Sequence, residues 1–366
     1  MNTPAKKRVW AAPGQGLHRQ GNIMNIAKLS AVLLAASTLC GCNLDIKSDK
    51  STSQPVVPAS AQAASSVPPS TYTGQDKLIF TAINTYRSKL GVGQVAQDTS
   101  LDLAAQMHET YQTSQAGGFI ETHDELATGI GFYAVTPHDR AIKAGFSPAT
   151  AWIGEVIGNG QATVDPKSNL PACVSQLLDS VYHLEALTSN VEKIGIHNDS
   201  NWACVLEGAT ITGTDTMTLP GSGNGEPIGG GQQMSATSVA VSPYSGETAV
   251  LPAMSLGENP TPALPTAAPG HPVMLRVRVD LPTDVLRVDS FLLQDISGNN
   301  VPGTILLAAN AAASSVTPAQ QDTLIQPGVA FFVPSSPLNA SATYTAIFQG
   351  ARNGVAVNEI WSFTTQ

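Results

Sequence analysis

Apolar residues Leu78, Ile79, Ala82, Ile83 and Tyr86 recur at helical spacing and the run stops at Gly91, which predicts an amphipathic helix ending there. A second helix is expected after Asp98-Thr99-Ser100, with Leu101, Ala104, Ala105, His108 and Tyr111 repeating along it. Thr136-Pro137-His138-Asp139 combines a capping residue, a proline in the first turn and a carboxylate three positions on, so a third helix opens there and closes at Gly145. A fourth opens near Pro171 and carries Val174, Leu177, Leu178, Val181 and Leu184 on one face. Two short strands follow, Lys193 to His197 and Trp202 to Leu206, joined by the turn-forming Asn198-Asp199-Ser200-Asn201. Helices first and strands last predict an α+β layered block.

Further along, the period changes from helical to two. Val273, Leu275, Val277 and Val279 alternate with Met274, Arg276, Arg278 and Asp280, and Leu286 to Leu293, Val329 to Val333, Thr343 to Phe348 and Glu359 to Thr364 continue the series between Gly and Pro turns. Short strands at this spacing predict an antiparallel β-sandwich. Two stretches without an apolar face bracket the first block. Asn43 to about Gly74 is rich in Ser, Pro, Ala and Gln and reads as a disordered tether. Thr218 to Gln233, with Gly-Ser-Gly-Asn-Gly and a later Gly triplet, reads as a linker or a long loop. The expected division is therefore 1–41, 42–75, 76–213, 214–235 and 236–366, with two folded parts among about 290 residues.

The chain start has its own pattern. Met24 to Lys28 places one positive charge before the apolar run Leu29 to Leu39, which ends at Leu39-Cys40-Gly41-Cys42. That run is too short to span a bilayer, which takes about 20 residues, and it has the organisation of a cleaved signal peptide starting at Met24. Its end resembles the bacterial lipobox, with Gly41 before an acylated Cys42. The resemblance implies a lipoprotein held to the membrane by Cys42, and Asn43 implies the outer membrane. Removing residues 1–41 takes five basic and no acidic residues from the 18 basic and 27 acidic of the whole chain, leaving a net charge of −14. A chain this acidic repels phosphate backbones, so nucleic acid is excluded as an expected partner. Cys173 and Cys204 remain, and in an oxidising envelope such a pair is expected as a structural disulfide; a metal thiolate site lacks any C-x-x-C spacing.

Ile83-Asn84-Thr85-Tyr86-Arg87, Asp98-x-x-Leu101-x-x-Ala104-Ala105-x-x-His108, Thr122-His123, Gly154-Glu155, Ser180-Val181-Tyr182-His183 and Lys193-Ile194-Gly195-Ile196 follow one another over roughly Asp76 to Thr212. In that order they resemble the CAP superfamily, also called the SCP domain. The resemblance implies an α-β-α sandwich with a cleft lined by His123, Glu155 and His183. The family's second glutamate falls near Ser180 and is missing, Val156 replaces its usual asparagine, and Leu177 its usual tryptophan. Two imidazoles and a carboxylate are the ligand set of an open site for a divalent metal such as zinc. They equally suit a general base with its orienting partner, or a hydrogen-bonded polar cluster.

His108, on the apolar face of its helix, is expected in the core or the cleft wall, and His138 and Glu185 in solvent. Ser180 and His183 share a helical face, but no Gly-x-Ser-x-Gly elbow accompanies them. The last block resembles bacterial immunoglobulin-like domains through Pro337-Leu338, Ala342-Thr343-Tyr344-Thr345, Gly354 and Trp361-Ser362-Phe363-Thr364-Thr365, with Tyr344 and Trp361 as core or corner residues. The leading expectation is a binding module accepting a small or lipidic ligand. A metal-assisted hydrolase of peptide or cell-wall substrates, with Glu155 as base, and a non-catalytic envelope or adhesion protein are the alternatives. The sequence alone does not decide between enzyme and binder.

Overall fold

The computed structural model describes residues 67–161, 163–199, 203–212, 226–314 and 317–366. The leader, Cys42, most of the tether and the Gly-rich residues 213–225 lie outside the described residues, so the expectations for them rest on sequence. Among the described residues no helix is long and apolar enough to cross a membrane.

Helix α1 (Gly74–Leu90) ends where expected, with Gly91 in the left-handed region at φ 75° and its N–H folded back onto the last turn. Strand β1 (Ala96–Gln97) leads into α2 (Thr99–Thr113), whose first turn is held by Asp98 accepting from the N–H groups of Ser100 and Leu101. Helix α3 (Pro137–Lys143) opens on the reciprocal Thr136–Asp139 capping box. Strand β2 (Trp152–Asn159) follows.

The single fourth helix expected from Pro171 is instead two, α4 (Ala172–Leu178) and α5 (Val181–Leu187), with Ser180 extended between them. The break has a specific cause. The N–H groups of Val181 and His183, which a continuous helix would direct at carbonyls four residues back, donate to the carboxylate of Glu258 at 3.0 and 2.8 Å. Strands β3 (Lys193–Asn198) and β4 (Ala203–Thr210) complete the block.

These strands form a sheet of order β1-β3-β4-β2, antiparallel except for β1 beside β3. The alternation of a strand sorts its faces. Ala203, Val205 and Ala209 pack with Leu101, Ala104, Ala105 and Ala141 of α2 and α3, whereas Cys204 and Leu206 join Ile79, Ile83, Val174 and Leu177 of α1 and α4. Helices thus cover both faces. The expected disulfide joins Cys173 of α4 to Cys204 of β4, with Cα atoms 6.0 Å apart. Helix α2 lies close on the sheet at Gly195, where an added Cβ would stand 2.1 Å from the Leu101 carbonyl carbon and 2.4 Å from the Asp102 nitrogen. The last tether residues are packed, since Tyr72 lies against Phe80 and its hydroxyl donates to Asp102.

The C-terminal half contains β5 (Val239–Ser242), β6 (Val273–Val277), β7 (Leu286–Gln294), β8 (Gly303–Ala308), β9 (Ala312–Ala313), β10 (Ala319–Asp322), β11 (Val329–Pro334), β12 (Thr343–Arg352) and β13 (Val355–Thr364). They make two sheets, β10-β8-β11-β6-β5 and β13-β12-β7-β9. Phe291 of β7 and Phe332 of β11 meet between them with ring centroids 5.9 Å apart. The expected antiparallel pairing holds inside both sheets but not at two edges, where β10 runs parallel to β8 and β9 parallel to β7. Those edge strands are short segments of Ala, Gln and Asp without an alternating apolar face, so periodicity does not reveal them. Tyr344 and Trp361 are buried as expected, and the Tyr344 hydroxyl accepts from the Asn339 N–H at 2.8 Å.

A polar seam joins the halves across a shared apolar core. Arg276 of β6 donates to the Thr188 carbonyl at 2.8 Å and to Asn190 at 2.6 Å. The Tyr86 hydroxyl bonds to Ser242 at 2.7 Å and donates to Glu247 at 3.1 Å. The end of the Gly-rich stretch belongs to this seam too, with Glu226 and Gln233 buried. Glu185, expected in solvent, is 1% exposed and accepts from the Gln326 N–H at 2.6 Å. Its solvent face in an isolated helix is the face that the second half covers.

Gly195→Ala forces a methyl group into helix backbone and is expected to cost at least about 2 kcal/mol, read as a lowered urea midpoint. Burial pushes Glu185 up to about 8 and Glu247 and Glu258 up to about 7. Raised carboxyl pKa values stabilise the fold below the unfolded value, and that contribution disappears as pH climbs through the folded value. Stability is therefore expected to fall by on the order of 2 kcal/mol between about pH 6.5 and 8. The Glu185→Gln/Glu247→Gln variant flattens that slope in urea titrations at the two pH values.

Candidate functional site

Strand β2 turns Ile153, Glu155 and Ile157 toward α2 and α3, and Glu155 stands directly opposite Glu207 of β4. Two carboxyl groups side by side in an apolar layer require a cation. Arg140 of α3, itself fully buried, supplies it: Nη2 lies 2.6 Å from Glu155 Oε2 and 3.5 Å from Glu207 Oε1. Its Nη1 donates to the His123 carbonyl at 2.9 Å. The His123 ring closes the arrangement, with Nδ1 2.8 Å from Glu155 Oε1.

His108, buried on α2 as expected, braces the loop that carries His123. Its Nδ1 lies 3.0 Å from Glu125 Oε1, and its Nε2 lies 2.7 Å from the Thr122 carbonyl and 3.5 Å from Glu155. The other Glu125 oxygen accepts from the N–H groups of Tyr133 and Ala134 at 2.6 and 3.2 Å. His138, expected in solvent, lies partly exposed at the surface, its Nε2 3.0 Å from the Ala149 carbonyl.

Burial alone would raise the Glu155 carboxyl, but the His123 hydrogen bond and the Arg140 charge outweigh it and hold the group ionised. The same hydrogen bond raises the His123 imidazole against the effect of burial. Glu207 goes the other way, pushed well up by burial and then by the charge of Glu155. Of the two facing glutamates Glu155 is thus the one favoured as the carboxylate, and it faces both Arg140 and His123.

The structure brings His183 to the same hollow. Ser180 and His183 lie at the junction before and within α5, with Ser180 Oγ 2.9 Å from His183 Nδ1. Glu258 Oε1, arriving from the C-terminal half, lies 3.5 Å from that nitrogen. Burial, with the nearby His123 charge, lowers the His183 imidazole to about 4. His123, Glu155, His183 and Glu258 line one cavity of about 250 Å³, whose other walls include Ile83, Val95, Val156, Ile194 and Leu206. His123 keeps 42% of its side-chain surface and faces solvent.

No protein-family model, curated protein or solved structure matches this chain.

The expected trio therefore does converge on one hollow, but its donors do not suit a divalent metal. Both Glu155 oxygens are engaged, one by His123 and one by Arg140. Among the described residues no group of three or more His, Cys, Asp or Glu is placed to hold a metal ion. A serine relay is not assembled either: Ser180 and Glu258 both approach Nδ1 of His183, whereas base and orienter functions need opposite ring nitrogens.

Sequence reasoning missed Arg140, Glu125, Glu207 and Glu258. Glu207 carried a signal, a lone carboxylate within the apolar strand Ala203–Thr210. Arg140 and Glu258 had none, since each depends on contacts distant in sequence. Arg140→Leu leaves Glu155 without its guanidinium partner and is expected to cost about 3–5 kcal/mol. Glu207→Gln, replacing a protonated carboxyl, is expected to stay within about 1 kcal/mol of the parent; urea unfolding at pH 7 reads both.

Proposed function

We propose that this chain is a ligand-binding module of CAP type whose cavity accepts a small or lipidic molecule. The observation that carries this reading is the cavity of about 250 Å³, walled by Ile83, Val95, Val156, Ile194 and Leu206, with the His123–Glu155 pair and His183 among the few polar groups lining it. An apolar hollow with a small number of fixed polar groups is the usual form of a small-molecule site. The order of the six motifs and the sheet covered by helices on both faces support the CAP assignment. The C-terminal half, proposed as immunoglobulin-like, completes the wall. In this reading acylation at Cys42 tethers the module to the outer membrane, and Cys42→Ala moves it to the soluble fraction.

Binding is expected to be saturable without turnover. The neutral fluorophore N-phenylnaphthylamine should brighten and blue-shift on titration into the purified chain. Ala186→Phe, which fills the cavity from α5, is expected to weaken that binding by about ten-fold or more while leaving the circular dichroism unchanged. Equal binding in that variant would place the probe elsewhere and remove the proposal.

A further inference from the structure

The cavity is walled by both halves of the molecule. Glu258, Asn259, Pro260 and Leu324 reach it from the C-terminal half. Among the described residues three carboxyl groups line it, those of Glu155, Glu185 and Glu258, and no lysine or arginine does. The two imidazoles are already engaged. His123 Nδ1 lies 2.8 Å from Glu155, and His183 Nδ1 lies 2.9 Å from the Ser180 hydroxyl and 3.5 Å from Glu258.

Glu258 is not a surface carboxylate that happens to fall nearby. Its side chain is almost wholly enclosed, and its two oxygens accept from the N–H groups of Val181 and His183 at 3.0 and 2.8 Å. The carboxyl therefore has a fixed position beside Ser180, the place where the CAP resemblance leaves a glutamate missing. It comes from a segment 75 residues beyond His183 in the chain.

Resting on the binding reading above, we infer that Glu258 is a specificity-determining residue of this cavity and makes it select uncharged amphiphiles over ionised fatty acids. An ionised carboxylate head entering the hollow meets Glu258, whose charge no lysine or arginine among the described lining residues offsets. Like charges brought together in a desolvated site are strongly disfavoured. A hydroxyl or amide head meets no such penalty and can both donate to a carboxyl oxygen and accept from a ring N–H.

The test is displacement of N-phenylnaphthylamine from the full chain by decanol and by decanoate at pH 8.5, repeated on Glu258→Gln. In the parent, decanol is expected to displace the probe at a concentration at least about ten-fold lower than decanoate. Glu258→Gln keeps the shape and removes the charge, its single amide oxygen retaining one of the two N–H donors, so decanol should shift less than about two-fold while decanoate gains several-fold. Equal displacement by the two ligands in the parent overturns the inference and leaves the binding module standing. A preference that survives unchanged in Glu258→Gln removes Glu258 as its cause. Failure of the probe to bind the parent at all sinks the underlying binding reading instead.

Discussion

One buried guanidinium organises the N-terminal half. Arg140 stands where the sheet turns Glu155 and Glu207 to the same side, and it also binds the backbone of the loop that presents His123. Without that cation the facing carboxyls would both have to be protonated, and the His123–Glu155 ion pair would lose its ionised partner. The exposed imidazole is thus positioned from behind, by charge enclosed in the protein, rather than by packing at the surface. His108 serves the same loop by holding the Thr122 carbonyl and Glu125 together.

A second carboxylate decides how the halves meet. Glu258 takes the two N–H donors that would have carried α4 into α5, so the helix break, the seam between the halves and the wall of the cavity share a single residue. Around it the seam is lined with acids whose pKa values burial raises, Glu185 and Glu247 among them. Arg276 compensates part of this by bonding to Thr188 and Asn190 across the boundary. The apolar core is continuous from α1 to β13, so the two folding patterns read in the chain are not two separately closed interiors.

Local patterns were legible and remote ones were not. The ends of α1, α2 and α3 follow from Gly91, Asp98 and the Thr136–Asp139 box, all of which act within a few residues. The disulfide followed from cysteine arithmetic, and the burial of Tyr344 and Trp361 from the strand pattern. The trio His123, Glu155 and His183 was found by resemblance and does share a hollow. What stayed hidden was every partner chosen across the fold: Arg140 for Glu155, Gln326 for Glu185, Glu258 for α5. The short parallel edges β9 and β10 escaped for a related reason, because an edge strand needs no apolar face to be held by its neighbour.

Gly195 gives this architecture an unexpected kind of rigidity. With no side chain between them, the backbone of α2 rests directly on the backbone of β3, and β3 is hydrogen-bonded through β4 to β2. The height of the first turn of α2 above the sheet that carries Glu155 is therefore set at Leu101 and Asp102 by main-chain contact.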